Sequence, residues 1–318
     1  VRPLRQRECN RRLQRPLDQL VRLDVDSREG AAGILRSIET AGQQLCQQHP
    51  VEAIGIGFGG PLDAESGIIT CSHQVDGWDQ FPLRDWSEEK LGSPTVLGND
   101  CDLASLAEAR LGAGKEYQRL FYLTVGTGIG GGLVIDGELQ GRGRPAISEI
   151  GHLRPSLTSS HPDQTVESRA SGPGIESRTR ELLARSGAGN PDAEELLEAC
   201  QGDTGRLKTR EIALAAGKGN QVAGQAIAEA VETLGWAIAQ VVTLIAPEIV
   251  VVGGGVSLMD PQLLLEPLKE QLEAFVFPPL RAVLRFLRCQ QKMMIFLVFL
   301  ECFQCLKSAQ AIRSFKIN

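Results

Sequence analysis

The chain is 318 residues long, with 42% hydrophobic and 23% charged residues, enough to bury one large core or two smaller ones. A formal net charge of −6 argues against general nucleic-acid binding. Eight cysteines are scattered along it, and no apolar core follows Arg2, Arg5 and Arg7, so reduced thiols in a cytoplasm and no secretory leader are expected.

Residues 1–20 are rich in Arg, Gln and Leu and carry no strand signal. Ala31, Ile34, Leu35, Ile38 and Leu45 recur at helical spacing and predict a helix over 28–48. Val51–Pro61 reads as a buried strand running into a Gly-Pro loop, and Pro94–Asp100 as a second strand with a polar tip. A helix over about 102–112 follows, with Leu103, Leu106 and Ala107 inward and Glu108 and Arg110 outward. A glycine hairpin then spans Tyr122 to Asp136, and the chain turns polar and loop-like from Glu149 to Gly172. Residues 174–246 are mainly helical, ending in one long apolar-faced helix over 221–245 that Pro247 stops. Glu248–Val256 is a buried strand entering a glycine turn. Strand, helix and glycine turn alternate, as in α/β chains that place ligands at strand ends.

The hairpin holds the most specific chemistry. Thr124, Gly126, Thr127, Gly128 and Gly130 crowd its bend. Glycines let the backbone approach a ligand and turn N–H groups toward an anion, and threonines add hydroxyl donors. A phosphate suits such a turn, although a hairpin needing positive φ angles would look the same. No Gly-Lys-Ser/Thr follows, so it is no Walker loop, and a strand follows where a dinucleotide fingerprint needs a helix. Asn99 and Asp100 stand between a strand and a helix, where both residue types cap helices well and a carboxylate could also serve as a base.

Five blocks appear in order: Gly55-Ile-Gly-Phe-Gly-Gly-Pro-Leu-Asp63, Gly98-Asn-Asp100, Leu123 through Gly132, Glu149-Ile-Gly-His152, and Val250-Val-Val-Gly-Gly-Gly255. Together they resemble the ROK family of sugar kinases and sugar-responsive repressors over roughly residues 22–280. The resemblance implies an α/β, actin-like (ribonuclease H-like) two-lobe ATPase fold. It implies a small lobe over 23–112 and a large lobe over 113–281, between atypical segments at 1–22 and 282–318. Asp100 would be the base taking a proton from a sugar hydroxyl, with Asn99 on a neighbouring hydroxyl and the Gly59-Gly60 loop, with Asp63, along the sugar. Glu149, His152 and Glu167 would clamp the sugar. Thr124, Gly126, Thr127, Gly128 and Gly130 would cradle phosphate, and Gly253, Gly254 and Gly255 would approach the adenosine.

Three departures from the family pattern matter. Residues 153–166 hold no cysteine, with His161 the one further candidate ligand, so the structural zinc of many ROK proteins is not expected and no metal site is assigned. No Asp-x-Gly-Gly-Thr phosphate loop precedes Gly55, which predicts an incomplete small-lobe sheet with an exposed edge. Residues 282–318 contain no glycine, aspartate or proline but five of the ten phenylalanines, and a foreign reading frame at both ends would explain both shifts in composition. The apolar run Met293–Leu300 is too short to span a bilayer.

The expected activity is transfer of the γ-phosphate of Mg²⁺-ATP to a hexose or N-acetylhexosamine, impaired by the missing first loop. The alternatives are a non-catalytic sugar sensor or repressor-like protein, and a defective kinase that binds sugar but not ATP. The expected partners are the small-molecule sugar and nucleotide, with no nucleic acid and no membrane, and a homodimer in keeping with the family.

Overall fold

The computed structural model describes residues 21–23, 26–48, 51–72, 75–141, 147–156, 161, 163–187, 189–289, 295–300 and 316–317. They form two compact units. One holds the described residues up to Leu111 together with those of 139–147 and 293–318, and the other holds Gly112–Glu138 and Ser148–Lys292.

The first unit contains β1 (Arg22–Leu23), α1 (Gly30–Gln48), β2 (Ala53–Phe58), the small hairpin of β3 (Leu62–Asp63) and β4 (Ile68–Ile69), α2 (Leu83–Leu91), β5 (Thr95–Asn99) and α3 (Asp100–Leu111). Strands β2 and β5 run parallel, with Phe58 opposite Asn99, so both end at the same level. Ile54, Ile56 and Leu97 from these strands bury against Ile38 and Leu45 of α1 and against Trp78 and Leu83. The apolar spacing read in 28–48 is thus spent on this core. Helix α3 starts two residues before its predicted position, and its buried face comprises Cys101, Ala104, Ser105, Leu106, Glu108 and Ala109. Glu108, expected to face outward, is fully buried, because the i, i+3, i+4 steps from Cys101 and Ala104 bring it onto the inner face.

The second unit contains β6 (Arg119–Val125), β7 (Ile129–Ile135), β8 (Glu138–Leu139), α4 (Val166–Ala170), α5 (Gly172–Arg185), α6 (Pro191–Ala199), α7 (Thr209–Gly217), α8 (Gln221–Ile245), β9 (Ile249–Gly253), α9 (Leu265–Phe275), α10 (Pro278–Arg281) and β10 (Arg285–Arg288). The five-stranded sheet runs β10-β9-β6-β7-β8. Helix α8 has the length and composition of a membrane span, but it packs against α4, α5, α7 and α9 as the centre of this unit's core. Strand β10 pairs parallel with β9, so regular structure continues past Arg281, where the sequence had suggested a change of character.

The chain then returns to the first unit. Strand β11 (Ile295–Leu300) pairs antiparallel with β2, Leu297 opposite Ile56, and β12 (Lys316–Ile317) pairs with both β11 and β1. The resulting order is β1-β12-β11-β2-β5. The small-lobe sheet was expected to have an exposed edge, and here the β2 edge is covered by Ile295–Leu300. A row of unpaired backbone groups is a template for any β-prone segment within reach, and Ile, Phe, Leu and Val supply one. Each unit now has a central strand with a parallel neighbour on one side and an antiparallel one on the other: β2 between β5 and β11, β6 between β9 and β7. Residues 1–20 lie outside the described residues.

Candidate functional site

In the first unit the end of β5 delivers Asn99 and Asp100 to the start of α3. The Asn99 Oδ1 accepts from the backbone N–H of Cys101 at 2.9 Å and of Asp102 at 3.2 Å, so Asn99 caps the helix. Its Nδ2 donates to the Gly60 carbonyl at 3.5 Å, tying the strand end to the loop after β2. The Asp100 Oδ1 accepts from the Cys101 N–H at 2.8 Å, and a Cβ on Gly59 would lie 3.2 Å from Asp100 Oδ2. Asn99, Asp100, Gly59 and Gly60 are thus one local group. Asp63 sits apart from that group in the β3–β4 turn. There it accepts from Glu65 N and Ser66 Oγ, which, the Ser66 hydroxyl first, hold its carboxyl below the ordinary range.

In the second unit the glycine turn closes between Val125 and Ile129, with the Gly126 N–H donating to the Gly128 carbonyl at 2.9 Å and Thr127 exposed at its tip. Gly172, the first residue of α5, donates its N–H to the Gly126 carbonyl at 2.8 Å. Thr124 pairs with Gly130 on one side and Gly253 on the other, so the turn after β9 lies beside the hairpin. Gly254 has φ +86°, and a Cβ there would overlap the Val125 carbonyl. No side chain fits that position.

The Glu-x-Gly-His segment packs onto β7. It forms a single 3-10 turn over Ile150–His152, with Glu149 at its entry. A Cβ on Gly151 would overlap the Ile129 carbonyl oxygen, which explains the glycine of the motif. Val166 N donates to the Leu153 carbonyl at 2.8 Å and brings α4 alongside, with Glu167 on its first turn. The sequence read 149–172 as loop and missed α4. Its start signal is a capping box of Thr165 and Ser168, two hydroxyls without the usual Glu or Gln, on a helix of only five residues. Glu167 Oε2 accepts from the Ile129 N–H at 2.7 Å.

The charges of His152 and Glu167 act on Glu149. Desolvation raises the Glu149 pKa above its ordinary value although the residue keeps access to solvent, the Glu167 charge adds to the rise, and His152 opposes it. The second unit thus brings together Glu149, His152 and Glu167, the glycine turn 124–130 and the 253–255 turn. Asn99, Asp100 and Gly60 stand together in the first unit. Two carboxylates with an imidazole suit a polyhydroxylated ligand. A turn presenting backbone N–H groups and threonine hydroxyls suits phosphate.

The residues do not fit a zinc centre. Residues 153–166 offer His161 and no cysteine, and His161 pairs with Asp163 on the surface. Cys302 and Cys305 do stand at Cys-x-x-Cys spacing, against the reading of the eight cysteines as merely scattered, and both lie outside the described residues.

Known proteins resemble the chain in sequence and fold. A sequence model of the ROK family matches residues 20–291. The chain is 31% identical over 266 residues to a glucokinase of Halalkalibacterium halodurans, covering 80% of this chain and 78% of that protein. It is 28% identical over 229 residues to a xylose repressor of Caldicellulosiruptor bescii, covering 70% of this chain and 55% of the repressor. Among solved structures, a ROK family glucokinase from Streptomyces griseus, in complex with glucose and AMPPNP, superposes with a TM-score of 0.72 at 28% identity, over 90% of this chain and 89% of that one. The fold is the α/β actin-like ATPase fold of these kinases, and the chain belongs to the ROK family.

Proposed function

We propose that the chain is an ATP-dependent sugar kinase of the glucokinase type, acting in the cytoplasm on a hexose or N-acetylhexosamine. The observation that carries this reading is the grouping of Glu149, His152 and Glu167 in one electrostatic neighbourhood beside the glycine turn. The similar glucokinases at about 30% identity support it.

In this reading the sugar hydroxyls bond to Glu149, His152 and Glu167, and Asn99 and the Gly60 loop hold the neighbouring hydroxyls. The turn of Thr124, Gly126, Thr127, Gly128 and Gly130 receives the phosphates, with Thr127 exposed at its tip, and Gly253, Gly254 and Gly255 line the nucleoside. Mg²⁺ would accompany ATP as part of the substrate and supply charge neutralisation on its phosphates. Asp100 accepts the proton of the attacking hydroxyl as its oxygen bonds to the γ-phosphorus and ADP leaves. The Asp100 carboxylate already accepts a bond through Oδ1, which fixes its orientation at the helix start.

Asp100→Asn is expected to lower turnover by about 10²–10⁴, the usual contribution of a general base, while glucose affinity changes little. An ATP-coupled assay across hexoses and N-acetylhexosamines, run beside calorimetric sugar titration, reads both. Turnover that Asp100→Asn leaves untouched would refute the mechanism.

The second reading is a sugar sensor without catalysis, and the similarity to a xylose repressor favours it. Sugar binding with no turnover under any nucleotide condition would select it.

A further inference from the structure

The backbone of Ile129 is held from both sides by the clamp. Its N–H donates to Glu167 Oε2 at 2.7 Å, and its carbonyl is packed so closely by Gly151 of the Glu-x-Gly-His segment that a Cβ there would overlap it. Ile129 is also the first residue after the phosphate turn, paired with Val125 across it, and its side chain is only 3% exposed in the core of the second unit. A Cβ on Gly128 would lie 2.7 Å from Glu167 Oε2, so the carboxylate occupies the space a side chain at the turn would need. One peptide therefore belongs to the phosphate turn and to the sugar clamp together.

We infer that Glu167 is a coupling residue: its carboxylate anchors the phosphate turn through Ile129, so that sugar bound at the clamp and nucleotide bound at the turn change each other's affinity. This rests on the kinase reading above. A sugar hydroxyl that bonds Glu167 shares the same carboxylate with the Ile129 N–H and alters its hold on the turn. Linkage then requires the effect to run equally in both directions. Glu167 is thus a positioning residue for phosphate as well as a ligand for sugar.

The distinguishing measurement is nucleotide affinity with no sugar present, where a residue that only binds sugar has no influence. Calorimetry with Mg²⁺-AMPPNP on the full chain should show Glu167→Ala weakening the nucleotide roughly tenfold, the size of one hydrogen bond to a charged group. Glu167→Gln keeps an acceptor oxygen for Ile129 and should stay within about threefold of the parent, a difference under 1 kcal/mol. Gly128→Ala keeps Glu167 but crowds its carboxylate, and should weaken nucleotide as Glu167→Ala does. Amide hydrogen exchange of the ligand-free protein gives an independent readout. Exchange at Ile129 should accelerate in Glu167→Ala and in Gly128→Ala and hold steady in Glu167→Gln. Added glucose should shift nucleotide affinity in the parent and lose that effect in Glu167→Ala.

Unchanged nucleotide affinity and unchanged Ile129 exchange in Glu167→Ala, with glucose binding lost, would overturn the coupling and leave the kinase reading standing. A parent chain that binds neither glucose nor nucleotide would overturn both.

Discussion

Glu149 carries a directional pH signature. Partial desolvation raises its pKa although the side chain reaches solvent, with His152 opposing the rise and the Glu167 charge adding to it. A carboxylate accepts sugar hydroxyls best when ionised, so sugar affinity should fall on acidification with a midpoint above the ordinary glutamate range. Glu149→Gln should remove that limb, which sugar titrations at a series of pH values would show. The stability sign runs the other way. A carboxyl whose folded pKa is raised favours the folded state at low pH, and that contribution is lost as pH rises through the folded value. Glu149→Gln should therefore melt slightly higher than the parent at neutral pH. At this scale the sequence made the motif residues legible because each block pairs a chemical group with the glycines its packing needs. The roles that join residues were not legible. The bond from Ile129 to Glu167 spans 38 positions, and no local spacing encodes a backbone donor's distant partner. Glu108 misled for a related reason, since a charge was assigned to solvent when helical geometry put it on the buried face.

Helix α8 organises the second unit, and Asn220 fixes where it begins. The Asn220 Oδ1 accepts from Ala223 N at 3.0 Å, and its Nδ2 donates to the Asp192 carbonyl and to Glu195 Oε2, both at 2.8 Å. One buried side chain thus caps α8 and pins α6 to it. Asn220→Ala should destabilise the chain by about 2–3 kcal/mol, a lost cap plus polar partners left unpaired in the interior. A lower denaturant midpoint at unchanged slope would confirm it, and a change within about 0.5 kcal/mol, typical of surface sites, would refute it. Long elements such as α8 were read to the residue, since apolar periodicity and Pro247 bound them clearly. Short ones were lost. Helix α4 has five residues and no periodicity to speak of, yet it positions Glu167.

At the scale of the whole molecule, the two sheets share a pattern that the sequence only half suggested. The second unit's sheet draws its strands from 119–288, and its central strands β6, β7 and β9 fall in regions the sequence read as strand. The first unit's sheet instead recruits 295–300, from a run the sequence reading noted only as apolar and too short to span a bilayer. The sequence reading took the run as atypical and not as a strand, and its partner lies some 240 positions away in sequence, beyond the reach of local pattern. Removing residues 293–318 should open the β2 edge. Amides across Ala53–Phe58 should then exchange faster while those of β6 and β9 keep their protection. Equal protection of β2 in both proteins would show that β11 does not stabilise that sheet.

The pairing of β2 with β11 also bears on biosynthesis. Phe58 leaves the ribosome long before Leu297 does, and the intervening residues include nearly the whole second unit. At translation rates of about 5–20 residues per second, the β2 edge waits on the order of tens of seconds for its partner strand. During that interval the nascent chain offers an open strand edge while a neighbouring unit folds to completion, so recovery of native protein should depend on how well holdase chaperones shield that edge until synthesis ends.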